Sequence, residues 1–232
     1  MKKCMLYLNK LDLKNLHKAL GSVNRIGRAV RTYIVREYEL PSNENELVRM
    51  LTYRPGENGE ITSLGLSESA LAKLDETVKT LRELEKNYPV LFRKSSRSGR
   101  VDDFYSLIIR DIIKKMTERI ESGDYSYEIV SKRFVIPEDI VMNYRHLYKP
   151  GINTKIELAE ELENFILQNY AEEQIRSVVE IESNQKIKYK FTLDKSAFDK
   201  VSLLKATSKK KLTESKVMTD ILIEFLEQKA PK

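Results

Sequence analysis

No stretch of this chain approaches the roughly 18 consecutive apolar residues that would cross a membrane. The opening "MKKCMLYLNKLDLKNL" begins with two lysines after Met1, but Asn9, Lys10 and Asp12 interrupt any apolar core of a secretion signal. A single cysteine, Cys4, excludes an internal disulfide framework and a cysteine-built metal site. It reads as a small core residue of a cytoplasmic protein. The two histidines, His17 and His146, are far apart in sequence and suggest no metal site. No glycine loop leads into Lys-Ser/Thr, so "RPGENGE" (54–60) reads as a turn rather than a phosphate cradle. Asp102 and Asp103 suit the first turn of a helix, where the backbone dipole favours acids. Twelve tyrosines are present, none framed by histidine or arginine clusters. An enzyme is therefore not expected, nor a metal, a cofactor, a small-molecule substrate or a membrane partner.

Charge is present, and it is unevenly placed. The 232 residues carry 41 Lys/Arg against 35 Asp/Glu, a net +6, and 41% hydrophobic residues suffice for a core. Residues 1–40 hold nine bases against three acids, and 187–232 hold eleven against six. Residues 60–124 balance at twelve each, while 125–186 hold seven against eleven. Basic charge gathered at both ends suits a polyanion such as nucleic acid, although ordinary solubility charge also has this composition.

One pattern recurs. In "KYKFTLDKSAF" (188–198), Lys188, Lys190 and Thr192 alternate with Tyr189, Phe191 and Leu193, the period of a strand. From Asp194 the apolar positions become Ala197, Val201 and Leu204, the period of a helix. After "TSKKKLT", Thr213 caps a second helix carrying Val217, Ile221 and Phe225. "KRFVIPEDIVMNYRHLYKPGINTKIELAEELENFILQ" repeats the switch. Arg133 and Val135 alternate with Phe134 and Ile136, a helix starts at Pro137 and runs to about Tyr148, and Asn153 caps a helix from Thr154 to Gln168. At the N-terminus Lys3, Met5 and Tyr7 alternate with Cys4, Leu6 and Leu8. Helices follow with Leu13, Leu16 and Leu20, then with Ile26, Val30, Tyr33 and Ile34 behind an Asn24 cap. A fourth candidate begins at Glu60, with Leu64 and Leu66 inward and a helix from Ser67 through Leu81. It then has a long break and a helix from about Asp102 to Arg119, with Ser98 as the earliest cap.

From the last inward strand residue to the second cap the distances are 16, 17 and 20 residues in three copies, and at least 32 in the copy starting at Glu60. The second helices "SLIIRDIIKKM" and "VMTDILIEFLEQ" are apolar around much of their circumference. A unit of this size with one strand cannot pair that strand or bury such a helix alone. Two copies pairing antiparallel solve both problems.

"FTLDKSAFDKVSLLKATSKKKLTESKVMTDILIEFLEQ", "LSESALAKLDE" and "FVIPEDIVMNYRHLYKPGINTKIELAEELENFI" resemble the ribbon-helix-helix family of the MetJ, Arc and CopG type. That resemblance implies a mainly α fold with short strands, in which tandem units pair through two-stranded antiparallel ribbons. The expected units are 1–40, 60–120, 127–170 and 186–229, with 41–59 a linker. The first should pair with the second and the third with the fourth. The chain departs from the family in holding four copies where one is usual.

The resemblance further implies a double-stranded DNA partner, with strand side chains reading bases in the major groove. Base contacts are then expected from Lys188, Lys190 and Thr192, from Ser131 and Arg133 beside Val135, and from Lys3, Met5 and Tyr7. Ile61, Ser63 and Gly65 form a chargeless, poor reader. Phosphate contacts are expected at capped helix starts and basic loops: Asn24, Arg25 and Arg28; Arg93, Lys94, Arg97 and Arg100; Asn153, Thr154 and Lys155; Lys209, Lys210, Lys211 and Thr213. Alternating Lys and Thr on a strand, basic loops and capping residues are equally ordinary features of solvated surfaces. Arg25, Arg28 and Arg31 would form one basic helical stripe, and "ELAEELENF" should point away from a duplex or toward a basic neighbour. The implied role is a transcriptional repressor or a plasmid or phage DNA-organising factor, nucleoid-associated, with possible self-association. The alternative is a protein-interaction adaptor or inhibitor on the same scaffold without DNA readout.

Overall fold

Period-two alternation becomes strand at all four expected places. The computed structural model describes residues 1–21, 26–92, 103–149, 154–171, 185–208 and 212–230. These are mainly helical, with two separate two-stranded antiparallel sheets. The chain divides into two compact units, Met1–Ser126 and Tyr127–Lys232.

In the first unit, β1 (Lys2–Asn9) leads into α1 (Lys10–Leu20), α2 (Ile26–Arg36) and α3 (Glu44–Thr52), then β2 (Gly59–Leu66), α4 (Glu68–Asn87) and α5 (Phe104–Glu121). β1 pairs antiparallel with β2, Lys2 opposite Leu66 and Asn9 opposite Gly59. Each strand passes directly into a helix because a polar side chain caps the junction. Asn9 Oδ1 accepts from the Leu11 N–H, and Ser67 Oγ accepts from the Ala70 N–H. α1 ends at Gly21, whose φ of 67° is left-handed and open to glycine without strain.

The two halves of this unit make matching contacts. Arg31 of α2 donates to the Gly65 carbonyl at 2.8 Å, and Arg110 of α5 donates to the Tyr7 carbonyl at 3.2 Å. Gly65 and Tyr7 each stand two residues before their helix cap. The edge of each strand is thus satisfied by a guanidinium from a second helix. Both arginines are buried, which corrects the expectation that Arg25, Arg28 and Arg31 form one basic helical stripe: Arg31 turns inward, Arg28 is half-buried, and Arg25 lies outside the described residues.

Three other boundaries differ from expectation. The supposed linker 41–59 contains α3, capped by Asn43, with Met50 and Leu51 buried. Behind α3, the Tyr53 hydroxyl donates to Asp12 Oδ2 and accepts from Asn9 Nδ2, both at 2.6 Å, so this segment is tied to the start of α1. The first helix of the second copy, α4, runs on past Leu81 to Asn87, 20 residues, in keeping with the long spacing of that copy. α5 is capped by Asp103, which accepts from the Tyr105 and Ser106 N–H groups; Ser98 lies outside the described residues. Cys4 is only half-buried, and burial with nearby Asp103 and Asp75 outweighs Lys2 in pushing its thiol pKa up.

In the second unit, β3 (Ile129–Pro137), α6 (Glu138–His146), α7 (Lys155–Asn164), β4 (Lys186–Asp194), α8 (Lys195–Thr207) and α9 (Glu214–Lys229) follow in order. β3 pairs antiparallel with β4, and Arg133 and Lys190, each the middle of nine residues, are partners. α6 stops at His146, short of Tyr148, and α7 ends in a π-helical turn, Phe165–Asn169. The α7 cap is Thr154, and Asn153 lies outside the described residues.

The core is continuous from the inner ribbon face into the helices. Phe134, Ile136, Phe191 and Leu193 meet Tyr144, Ala197, Phe198, Val201, Leu204, Val217, Ile221 and Phe225, all buried. The acidic segment of α7 faces inward, with Glu157, Glu160 and Glu163 buried; Glu163 Oε1 accepts from the Asp194 N–H at 2.6 Å. Glu161 pairs with Lys229 at 2.7 Å.

Candidate nucleic-acid interface

A two-stranded ribbon with one face buried must present its other residues to solvent. In β3–β4 the inward rows are apolar and aromatic apart from Lys132, opposite Phe191. Phe191 stands edge-on to Phe134 (6.0 Å between centroids) and to Tyr189 (4.7 Å), and Tyr144 closes beneath it at 5.7 Å. This aromatic layer fixes the outward rows, which the register places as Val135 opposite Lys188, Arg133 opposite Lys190, and Ser131 opposite Thr192. All six are exposed. The Ser131 and Thr192 hydroxyls lie 2.8 Å apart, a cross-strand hydrogen bond.

The base-contact candidates of the third and fourth copies are thus assembled on one face, six residues in three rows. Lys186 belongs with them. It is exposed at the start of β4 with the parity of Lys188, and the period-two pattern extended by one step would have included it.

The charges on this face are unusual in their neighbours. Elsewhere on the ribbon and its exit, lysines are matched: Lys132 pairs with Glu214 at 2.6 Å, and Lys195 with Glu128 at 3.2 Å. Arg133, Lys188 and Lys190 have no hydrogen-bond or ion-pair partner among the described residues. Arg133 and Lys190 stand directly opposite each other, an arrangement that destabilises a strand pair by about 0.2–1 kcal/mol.

The ribbon edge is clamped by α9. Ser215 Oγ accepts from the Val135 N–H at 3.0 Å, matching Ser106 Oγ, which accepts from the Tyr7 N–H at 2.9 Å in the first unit. Thr213 caps α9, as expected, by accepting from the Lys216 N–H. Glu214 receives Lys132 on one oxygen and the Ser202 hydroxyl on the other, at 2.8 Å. The Lys132 ammonium holds its carboxyl below the usual glutamate range, against the opposing effect of burial. A depressed carboxylate stabilises the folded state fully above its unfolded value, near 4.5, and loses that contribution as pH falls through the lower folded value. Glu214→Gln should therefore lower the unfolding midpoint at pH 7 by the equivalent of about 1 kcal/mol or less, the pair being part-exposed. The difference from wild type should shrink progressively in thermal melts taken below pH 4.5.

At α7 the expected phosphate position is already occupied. Thr154 Oγ1 accepts from the Glu157 N–H, and Glu157 Oε2 accepts from the Thr154 N–H at 2.7 Å. This capping box places a carboxylate where an anion would bind. Lys155 is exposed, its ammonium 5.7 Å from the Tyr148 ring centre. Asn24, Arg25, Arg93, Lys94, Arg97, Arg100, Asn153, Lys209, Lys210 and Lys211 lie outside the described residues.

The β1–β2 ribbon has a different outer face. Its rows are Lys3 opposite Gly65, Met5 opposite Ser63, and Tyr7 opposite Ile61. Met5 is 63% and Ile61 71% exposed, so Lys3 is the face's one charged member in these rows. Tyr7 lies along the ribbon rather than standing off it. Its hydroxyl is 3.4 Å from the Gly56 carbonyl, and a Cβ at Gly59 would collide with its ring. One ribbon is basic and the other apolar, although both are built alike.

Among the described residues no helix is long and apolar enough to cross a membrane, and no group of three or more His, Cys, Asp or Glu converges as a metal site. Comparison with family models, with curated proteins and with solved structures finds no match.

Proposed function

We propose that this chain is a sequence-specific double-stranded DNA-binding protein of the ribbon-helix-helix kind, made of tandem units that pair within the chain. Its β3–β4 ribbon enters the major groove, which is about 12 Å wide and admits a two-stranded ribbon. Arg133 forks onto guanine O6 and N7. Lys188 and Lys190 donate to the same edge or to flanking phosphates, while Ser131 and Thr192 meet either base type. The role is that of a transcriptional repressor or a plasmid or phage DNA-organising factor.

The observation that carries this reading is the opposed Arg133–Lys190 pair at the ribbon centre, unneutralised on a rigid aromatic platform. Like charges held face to face weaken the free protein and are relieved when an anion lies across them. A merely solvated face has no need of that arrangement.

The β1–β2 ribbon, with Met5, Tyr7 and Ile61 outward, contributes little to this readout. Its apolar face favours the second reading, an adaptor that binds another protein. Fluorescence anisotropy on a labelled mixed-sequence duplex separates the two. Phosphate contacts release counterions, so three to five of them give a slope of log K on log salt of about −3 to −5. An adaptor shows no saturable duplex binding even at 50 mM salt, and that result overturns the proposal.

A further inference from the structure

The two halves of the Met1–Ser126 unit match in their strand-edge contacts but differ at one place. Counting from the caps Asn9 and Ser67, His17 in α1 corresponds to Asp75 in α4. Counting from the paired arginines Arg31 and Arg110, Ile26 and Gly27 correspond to Tyr105 and Ser106. In the second half the space between first helix, second helix and strand is bridged. The Tyr105 hydroxyl donates to Asp75, and Ser106 reaches the strand edge at Tyr7. In the first half Ile26 has no hydroxyl to offer His17, and Gly27 has no side chain. The equivalent space remains as a half-open cavity of about 480 Å³.

Its floor is apolar, formed by the buried Leu8, Val30, Ile109 and Ile113. Its lining also includes Lys14 and His17, one turn apart on α1. Neither has a hydrogen-bond or ion-pair partner among the described residues. A half-open, mainly apolar cleft of this size with a few convergent polar groups is the general form of a small-molecule site. Two nitrogen donors beside it select a compact anionic head.

We infer that this cavity binds an amphiphilic monocarboxylate of the medium-chain fatty acid class. The hydrocarbon lies on Leu8, Val30, Ile109 and Ile113, and the carboxylate meets Lys14 and His17. Because Thr62–Gly65 of β2 form part of the wall, an occupant rests directly against the first ribbon. The inference is independent of the DNA reading, since it concerns a different unit and is tested without nucleic acid.

Titration calorimetry of the full chain with decanoate is the test, with acetate and 1-decanol as controls. One saturable decanoate site per chain is expected, and none for acetate. Lys14→Ala combined with His17→Ala, both at partly or fully exposed positions, should weaken decanoate at least tenfold and leave 1-decanol within about twofold. Ile26→Tyr with Gly27→Ser copies the closed half into the open one and should abolish binding of both. A Cβ at Gly27 would stand 3.3 Å from Arg31 Nη1, which is held by its 2.8 Å hydrogen bond to the Gly65 carbonyl. Ile26→Tyr alone, which leaves that contact untouched, is therefore measured beside the double variant and should also weaken both ligands. Absence of saturable decanoate binding, or decanoate binding that the Lys14/His17 double variant leaves unchanged, overturns the inference.

Discussion

Replacing Arg133 and Lys190 together by threonine is expected to weaken binding to a preferred duplex by roughly two orders of magnitude and, at the same time, to raise the melting temperature. The binding loss follows from removing the two side chains proposed as base-edge donors, each contributing in that role on the order of 1–3 kcal/mol of discrimination. The stability gain follows from the register, because the two cations face each other across the ribbon with no ion-pair partner among the described residues. Threonine keeps strand propensity and pairs well across strands, so relief of about 0.2–1 kcal/mol should not be masked. For a unit of this size that corresponds to a gain of up to about 5 °C. Anisotropy on the preferred duplex and a thermal melt on the same preparation check both halves. A variant that melts lower and binds as well as wild type contradicts the assignment.

The adjacent residue gives the opposite result. Phe191→Ala should cost about 3–5 kcal/mol, the range for emptying a packed aromatic site. Phe191 is 3% exposed and touches Phe134, Tyr144 and Tyr189, so three neighbouring rings lose a face. Against a total stability of about 5–15 kcal/mol, the Tyr127–Lys232 unit would be left marginal. Duplex binding should fall with it, because the outward rows rest on the layer beneath. Denaturant unfolding followed by circular dichroism measures the loss. A cost under 1 kcal/mol would mean that the ribbon does not rest on this core. Lys190 and Phe191 are neighbours in sequence, yet period two sends one to the solvent and one to the interior.

That same periodicity made much of the fold legible. The change from alternation to helical spacing across Asp194 is where β4 ends and α8 begins, with Ala197, Val201 and Leu204 all buried. The need of a lone strand for a partner anticipated that β1 would meet β2 and β3 would meet β4. Features that depend on distant partners were hidden. α3 was read as linker because Tyr53, just past its end, bonds to Asn9 and Asp12, more than 40 positions away. Arg31 was read into a basic helical stripe and Arg110 was not singled out, since nothing local shows that a strand carbonyl will accept each guanidinium.

The candidate interface was legible to the same degree and for the same reason. Outward parity named Ser131, Arg133, Val135, Lys188, Lys190 and Thr192, and missed only the flanking Lys186. Sequence could not show that Tyr7 lies down over Gly59, or that Glu157 closes the α7 terminus, because both depend on side-chain direction. The cavity beside His17 was invisible for a further reason. It arises from a mismatch between two halves whose equivalence appears only once their arginines are seen making the same contact.

The ribbon halves are chemically unlike. Ser131, Arg133 and Val135 stand where the mirrored positions hold Lys188, Lys190 and Thr192. A duplex held by this face is read differently by its two strands, so its preferred site should lack dyad symmetry. Selection of bound duplexes from a random pool, run in parallel on wild type and on the Arg133→Thr/Lys190→Thr variant, addresses this directly. The expected result is one enriched non-palindromic motif for the wild type that disappears with the variant. Failure to enrich any motif, or enrichment of the same motif by both proteins, would show that the outward rows of β3 and β4 do not read DNA.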